Sequence, residues 1–341
     1  MEYQNLGRTG LKISRLVFGG LHLGETLAQD QAADVFRAAW ESGVNTFYTA
    51  DTYGDGTAEE ALGRLVRPRR QDSVLIIKAG YRVGTPATPV SGQERAATHG
   101  DGPLDHARLW RQGVSPNSRG LSRQHLTRAL DASLTRLGTD YIDVYSAHFW
   151  DYETPIEETL DTLDGFVKAG KVRYLGASQT APWQLYRALW ASDKHGLNRY
   201  ECVQTRVNLL ERTALEDHLP AAKAAGVSLL AHQSLAGGLL TGVFTSVSDK
   251  PGGLGSLQRY TDMYWNESTF RFLDRLAAIA HAHDRTVGEL AQAWVLAQQP
   301  VTALLIGPNT PEELAPQVAA AERNLTVEER AAIDTLLHEP G

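Results

Sequence analysis

The sequence predicts an α/β fold: a (β/α)8 barrel of the TIM type, with an N-terminal β-hairpin and long loops at the face where its strands end. Three observations carry that expectation. Eight short apolar runs occur in order, each followed by a stretch with helical periodicity. They recur at a spacing of roughly thirty residues, with two wider gaps that read as inserted loops. No G-x-G-x-x-G follows the first run, so the doubly wound sheet, the runner-up, lacks its phosphate-binding signature.

The elements follow in chain order. Tyr3 to Ile13 reads as a hairpin that turns at Gly7-Arg8-Thr9-Gly10. Leu16-Val17-Phe18 is the first buried strand and ends in Gly19-Gly20; the helix Gln29 to Ser42 has apolar residues at Ala33, Phe36, Ala39 and Trp40. Val44 to Phe47 is the second strand. It runs into Tyr48-Thr49-Ala50-Asp51-Thr52-Tyr53 and a turn at Gly54-Asp55-Gly56. The next helix, to Val66, opens with Thr57-Ala58-Glu59-Glu60, which looks like a capping box. Val74 to Ile77 is the third strand, with Lys78 at its end. Tyr81 to Asn117 then breaks the alternation. It is rich in Gly, Pro, Thr and His, has too few apolar residues for a core, and reads as a long loop forming a lid or pocket wall.

Regular units resume with helix Arg123 to Leu137, strand Ile142 to Tyr145 and helix Ile156 to Ala169. Strand Val172 to Leu175 ends in Gly176-Ala177-Ser178-Gln179. Helix Trp183 to Ser192, strand Cys202 to Gln204 and helix Leu215 to Ala225 come next. Strand Ser228 to Ala231 opens into a Gly/Leu-rich loop, Ser234 to Gly242, which continues as a polar segment to near Gln258. Helices Thr269 to Ala282 and Thr286 to Ala297 precede strand Ala303 to Ile306. A helix after Gly307-Pro308-Asn309-Thr310-Pro311 runs to near Ala321 with Pro316 inside it. Thr326 is the N-cap of the last helix.

Composition narrows the class. The chain has 341 residues and a net charge of -7 with no long basic block, which argues against nucleic acid as a partner. Cys202 is the single cysteine; this excludes an internal disulfide framework and a multi-cysteine zinc site, and fits a reducing cytoplasmic setting. Met1 to Asn5 has no charged-then-apolar signal pattern, and no apolar run is long enough to span a membrane. A single soluble cytoplasmic domain over residues 1–341 is expected, with residues 81–117 shaping its pocket.

In a barrel, residues just after the strands meet at one face. That brings Tyr53, Lys78 and His148 into one testable constellation. A tyrosine can act as a general acid, but its free pKa is about 10. A nearby ammonium favours the phenolate and lowers it. Lys78 follows four apolar residues, so its ammonium leaves a buried strand where it needs a partner. His148 can donate a hydrogen bond to a substrate oxygen. Each also has a plain structural reading: Tyr53 as a packed loop residue, Lys78 in a rim ion pair, His148 as a satisfied rim histidine.

The combination resembles the aldo-keto reductase superfamily, particularly its bacterial members and the related potassium-channel β subunits. The resemblance covers nearly the whole chain. It rests on Leu6-Gly7-Arg8-Thr9-Gly10-Leu11, Gly43 to Gly63, Lys78, Ala129-Leu130-Asp131 and the run Leu137 to Asp143. It continues through Gly176-Ala177-Ser178, Asn208 to Arg212, Gly238 to Gly242, Gly307 and Thr310 to Leu314. It implies a barrel that binds NADPH in extended form and passes hydride to a carbonyl carbon of an aldehyde, ketone or keto-sugar. By matched position, Tyr53 is the acid, Lys78 its pKa-lowering partner and His148 the orienter of the carbonyl. Ser178, Gln179 and Gln204 would hold the nicotinamide amide, with Gln179 standing where Asn is usual. Gly19, Gly20 and Leu21 would border the ring. Leu235, Gly237 and Leu239 would lie along the pyrophosphate; Gly307, Thr310, Glu313 and Gln317 would face the adenosine end. The family ranges from monomer to octamer, so a homo-oligomer is allowed.

The chain departs from that pattern at four places. The family's catalytic aspartate lies five residues before the tyrosine, and here that residue is Tyr48. Asp51 matches a second acidic residue of the same loop and is expected to point elsewhere. Without the carboxylate a buried lysine tends to neutralise, and each pKa unit lost is about 1.4 kcal/mol. Three readings stay open: a weakened reductase; a site retuned for another reduction, such as an enone; or a cofactor-binding sensor or partner subunit with little turnover. Secondly, Pro308-Asn309-Thr310 carries no charge where the family often has Arg or Lys for the 2′-phosphate, so NADPH is the first choice and NADH the alternative. Thirdly, His232-Gln233-Ser234-Leu235 replaces the usual Tyr-Ser-Pro-Leu. Lastly, the 81–117 segment is longer than usual. No metal site is expected: His281 and His283 fall on different helix faces. Trp110, Trp183 and Trp265 read as packing, and Trp150 as a substrate-pocket residue.

Overall fold

The computed structural model describes residues 1–24, 27–84, 106–251, 255 and 258–338. Residues 85–105, most of the expected 81–117 loop, lie outside the described residues. Strands β1 (Tyr3–Asn5) and β2 (Lys12–Ser14) form the N-terminal hairpin, with Tyr3 opposite Ser14. Its turn is closed by Leu6 N donating to Leu11 O at 2.9 Å and by the Thr9 hydroxyl donating to Leu6 O at 2.7 Å.

The other strands are β3 (Leu16–Gly19), β4 (Thr46–Ala50), β5 (Val74–Ala79), β6 (Ile142–Ala147), β7 (Val172–Ser178), β8 (Tyr200–Arg206), β9 (Ser228–His232) and β10 (Val301–Ile306). They pair in the order β10-β3-β4-β5-β6-β7-β8-β9 and close on themselves, the parallel barrel the sequence predicts. All six residues of β5 are buried, as are all six of β6 and of β10. Strands covered on both faces must be apolar almost throughout, and this is why they stood out as runs.

The helices are α1 (Gln29–Glu41), α2 (Thr57–Val66), α3 (His106–Arg111), α4 (Arg123–Leu137), α5 (Ile156–Lys168) and α6 (Pro182–His195). Then follow α7 (His218–Ala225), α8 (Gln258–Tyr264), α9 (Glu267–Ala282), α10 (Val287–Leu296), α11 (Pro311–Glu322) and α12 (Val327–His338). Thr326 does cap α12: its hydroxyl accepts from Glu329 N at 3.1 Å, and Glu329 Oε2 accepts from Thr326 N at 2.8 Å.

Three local expectations change. The second strand is Thr46–Ala50, two residues later than its apolar pattern suggests, because the polar run Tyr48-Thr49-Ala50 keeps pairing with Ile76-Ile77-Lys78. Helix α2 has no capping box. Its N-cap is Gly56, at φ 100°, and Glu59 is drawn inward to Arg136 instead. A Cβ at Gly56 would lie 2.7 Å from Arg136 Cδ, so this left-handed position suits only glycine. Helices α3 and α8 are short; α8 is anchored by Tyr260 and Tyr264, one turn apart and stacked at 6.3 Å.

Two compact units make up the chain. One comprises Met1–Val17, Ala38–Val44 and Thr205–Gly341, the other Phe18–Arg37 and Asn45–Gln204. The second has an aromatic core: Phe36 stacks on Phe47 at 4.7 Å, and Phe18 meets both edge-on at 6.4 and 6.2 Å. In the same unit a Cβ at Gly176 would stand 2.5 Å from Ser146 Oγ and 2.7 Å from Cys202 Sγ, so a larger residue cannot be seated there without displacing a strand. The first unit contains a buried ion pair between Arg285 and Glu329. Among the described residues no helix is long and apolar enough to cross a membrane.

Candidate active site

The unit built on Asn45–Gln204 gathers the candidate catalytic residues. Register sets the first of them. Ala50 of β4 pairs with Lys78 of β5, and Lys78 pairs with Ser146 of β6. The chain then leaves β4, and Asp51 N donates to Lys78 O at 3.0 Å. A tight turn over Tyr53–Gly56 follows, with Gly54 and Asp55 both at positive φ. Asp55 tolerates this because its carboxylate accepts from Gly84 N at 3.0 Å, which ties the turn to the segment after β5.

This geometry delivers Tyr53 to Lys78. The Lys78 ammonium donates to the Tyr53 hydroxyl at 2.7 Å. Tyr48 flanks the same ammonium, with its ring centre 4.9 Å from Nζ; the Tyr53 ring centre is 5.1 Å away. His148 follows β6, with its backbone N donating to Ala79 O at 3.0 Å. Its buried ring meets Tyr53 edge-on at 5.9 Å and Tyr81 at 4.7 Å. Tyr53, Lys78, His148 and Tyr48 are therefore neighbours, although they lie far apart in sequence.

Electrostatics distinguish this cluster from an ordinary ion pair. Lys78 is only 5 % exposed. Burial pulls its pKa down, and the attraction of Tyr48 and Asp51 opposes that pull. No ion pair joins Lys78 to Asp51. The Asp51 carboxylate is fully buried with no well-formed hydrogen bond among the described residues, although the amides of Gly80 and Thr52 lie near enough to ease its charge. Burial and then the Glu59 charge push its pKa well up, against Arg136. The charged groups that act on Asp51 are thus those of the Glu59–Arg136 pair, which is closed at 2.6 Å. Sequence reasoning had no signal for that pair: Glu59 and Arg136 are ordinary charged residues on separate helices.

Candidates for cofactor contact fall in both units. In the same unit as Lys78, Ser178 pairs in register with Gln204, and Gln179 N donates to Gln204 O at 3.3 Å. Gln179 sits at φ 49° and is exposed, whereas Gln204 is 1 % exposed with neither amide atom hydrogen-bonded. A buried primary amide left unsatisfied fits a missing partner that can both donate and accept, such as a carboxamide. Gly19 and Gly20 are buried and Leu21 half-buried; Gly20 N donates to Tyr48 O at 2.7 Å. Trp150 packs edge-on against Trp183 at 5.7 Å.

The other unit holds Leu235, Gly237 and Leu239 in the turn after β9. Gly237 lies at φ 71°, and a Cβ there would meet the Tyr260 ring at 3.3 Å. Gly307 follows β10 and faces open space, with nothing within 4 Å of an added Cβ. Thr310 caps α11, its hydroxyl accepting from Glu313 N at 3.3 Å. Gln317 donates to Glu313 O at 2.8 Å and accepts from Gln292 at 3.3 Å, and Gln292 also donates to the Ser234 hydroxyl at 3.2 Å. This amide chain was missed from sequence, where Gln292 is one polar residue in an apolar helix. The open space at Gly307 beside a capped helix start leaves room for the adenosine end of a nucleotide.

Comparison with known proteins follows the same lines. A family model described as "Aldo/keto reductase family" matches residues 15–338. The uncharacterized oxidoreductase YrpG of Bacillus subtilis is 32% identical, over 100% of this chain and 97% of its own length. Versiconal hemiacetal acetate reductase of Aspergillus parasiticus is 31% identical, over 96% and 95%. A probable voltage-gated potassium channel subunit beta of Arabidopsis thaliana is 29% identical, over 94% and 92%.

Proposed function

Since the chain belongs to the aldo/keto reductase family, a family of NAD(P)H-binding oxidoreductases, we propose that it reduces the carbonyl of a small aldehyde, ketone or keto-sugar, with Tyr53 as proton donor. The observation that carries this reading is the 2.7 Å hydrogen bond from Lys78 to the Tyr53 hydroxyl beside His148. A carbonyl oxygen bound between Tyr53 and His148 would take its hydrogen bonds from the phenol and the imidazole. The reduced nicotinamide supplies the hydride. As negative charge builds on the oxygen, the Tyr53 O–H transfers its proton, and the Lys78 ammonium stabilises the phenolate left behind. Ser178, Gln179 and Gln204 would hold the carboxamide, and Gly19, Gly20 and Leu21 would border the ring. Leu235, Gly237 and Leu239 would follow the pyrophosphate; Gly307, Thr310, Glu313 and Gln317 would hold the adenosine half. Trp150 would line the substrate pocket.

Tyr48 modifies this chemistry. A phenol beside Lys78 offers a ring face and a hydroxyl but no full negative charge at neutral pH. The ammonium is then easier to neutralise, and a neutral amine stabilises phenolate less. Turnover of simple carbonyls would be weak, or the site would suit a reduction with less demand for proton delivery, such as an activated C=C bond. A second reading, a cofactor-binding partner subunit with little turnover, is supported by Tyr48 together with the likeness to the plant channel subunit. Oxidation of NADH and NADPH followed with a panel of aldehydes, ketones and enones separates them. Carbonyl-dependent oxidation supports the reductase; cofactor binding without oxidation supports the subunit.

A further inference from the structure

The start of α11 disagrees in charge with the dinucleotide that the resemblance favours. Asn309 donates to Glu313 Oε2 twice, from its backbone N at 2.7 Å and from its side-chain amide at 3.1 Å. The carboxylate is thereby fixed at the mouth of the helix. Glu313 is exposed, and its Oε1 has no hydrogen-bond partner among the described residues. The neighbouring Glu312 is also exposed and stays ionised, because the Thr310 hydroxyl and a backbone amide hold its carboxyl below the usual range. No Lys or Arg occurs between Val301 and Glu322. The turn therefore has two carboxylates, no cation of its own, and open space beside Gly307.

We propose that this turn selects a dinucleotide with a free ribose 2′-hydroxyl, NADH, over one with a 2′-phosphate, NADPH. An ionised carboxylate only accepts hydrogen bonds, and a ribose diol has hydroxyls to donate. Glu313 Oε1 is free to receive one. A 2′-phosphate brings no donor when ionised and close to two negative charges of its own. Here it would meet two carboxylates with no guanidinium or ammonium from this segment between them. The helix start has a partial positive charge of about half a unit, and Glu312 and Glu313 already occupy it. Dinucleotide proteins of other folds divide along the same line, with an acid at the ribose for one cofactor and an arginine at the phosphate for the other.

The inference rests on the reading that the chain binds a reduced dinucleotide with its adenosine end at Gly307. Its test is a fluorescence titration of the full chain with NADH and with NADPH, without any carbonyl compound. NADH is expected to bind at least about tenfold tighter, a difference of about 1.4 kcal/mol. Added salt should narrow the gap by screening the repulsion. Asn309→Arg, which places a guanidinium in the turn, should tighten NADPH about tenfold or more relative to NADH. Equal or tighter binding of NADPH to the native chain overturns the inference and leaves the dinucleotide reading standing. Binding of neither cofactor overturns both. The native-chain comparison decides even where the variant fails to fold.

Discussion

Arg285 and Lys78 are both buried cations, 7 % and 5 % exposed, and they live in opposite surroundings. Every arm of Arg285 that faces the interior is used. Its Nε donates to Glu329 Oε1 at 2.6 Å, and its Nη2 reaches Glu329 Oε2 and the carbonyls of Arg323 and Asn324. Burial alone would raise the Glu329 pKa, yet the Arg285 hydrogen bond and the Thr326 amide outweigh it and hold the group ionised. Lys78 has one phenol oxygen and two ring faces, and the nearest carboxylate, Asp51, is itself driven toward the neutral form. A saturated buried charge is a structural brace. An unsaturated one beside a half-exposed tyrosine is available for chemistry.

Four experiments break or sharpen that contrast. The largest effect belongs to Tyr53→Phe. It should cut carbonyl reduction by about 10²- to 10⁴-fold with the melting temperature nearly unchanged; retained turnover would remove Tyr53 as the proton donor. Glu329→Ala should do the reverse, costing about 3–5 kcal/mol in denaturant unfolding because it strands Arg285. A loss under about 1 kcal/mol would mean the brace is not one.

His125 is the intermediate case, a buried base whose pKa burial lowers to about 4, with Arg119 and Arg128 adding to the effect against a Tyr81 carbonyl. Below its ordinary value near 6.5 the unfolded chain binds the proton and the folded chain does not. Stability should therefore fall as pH drops from about 6.5 to about 4, by at most about 3 kcal/mol. Unfolding of the native chain and of His125→Asn at pH 7 and 4.5 checks this; an equal acid loss in both would refute it. The smallest effect is Tyr48→Asp, which restores a carboxylate beside Lys78 and should raise carbonyl reduction about tenfold, one pKa unit of phenolate support. An unchanged rate would show that the Lys78 charge does not limit turnover.

What could be read in advance follows from what leaves a local trace. Strands buried on both faces are apolar runs, so the barrel was legible even where β4 proved displaced by two residues. Tyr53 and Lys78 were recognisable from the motifs around them, and the barrel rule brought them together. The Glu59–Arg136 pair, the Gln292–Ser234 contact and helix α8 left no periodic signature. They depend on partners more than twenty residues away or on two tyrosines in a polar segment. Asp51 was legible as an acid, but its burial and its coupling to Glu59 were not.

The crowding of Gly176 against Cys202 also has a practical side. The lone thiol is fully buried, and burial, with the charge of Glu201 adding, pushes its pKa up to about 12. At neutral pH it is inert to alkylating reagents. Any cysteine placed on the surface, at Trp183 for instance, would be the molecule's sole reactive handle. A spin label or dye there could then report on that part of the surface with no background to subtract.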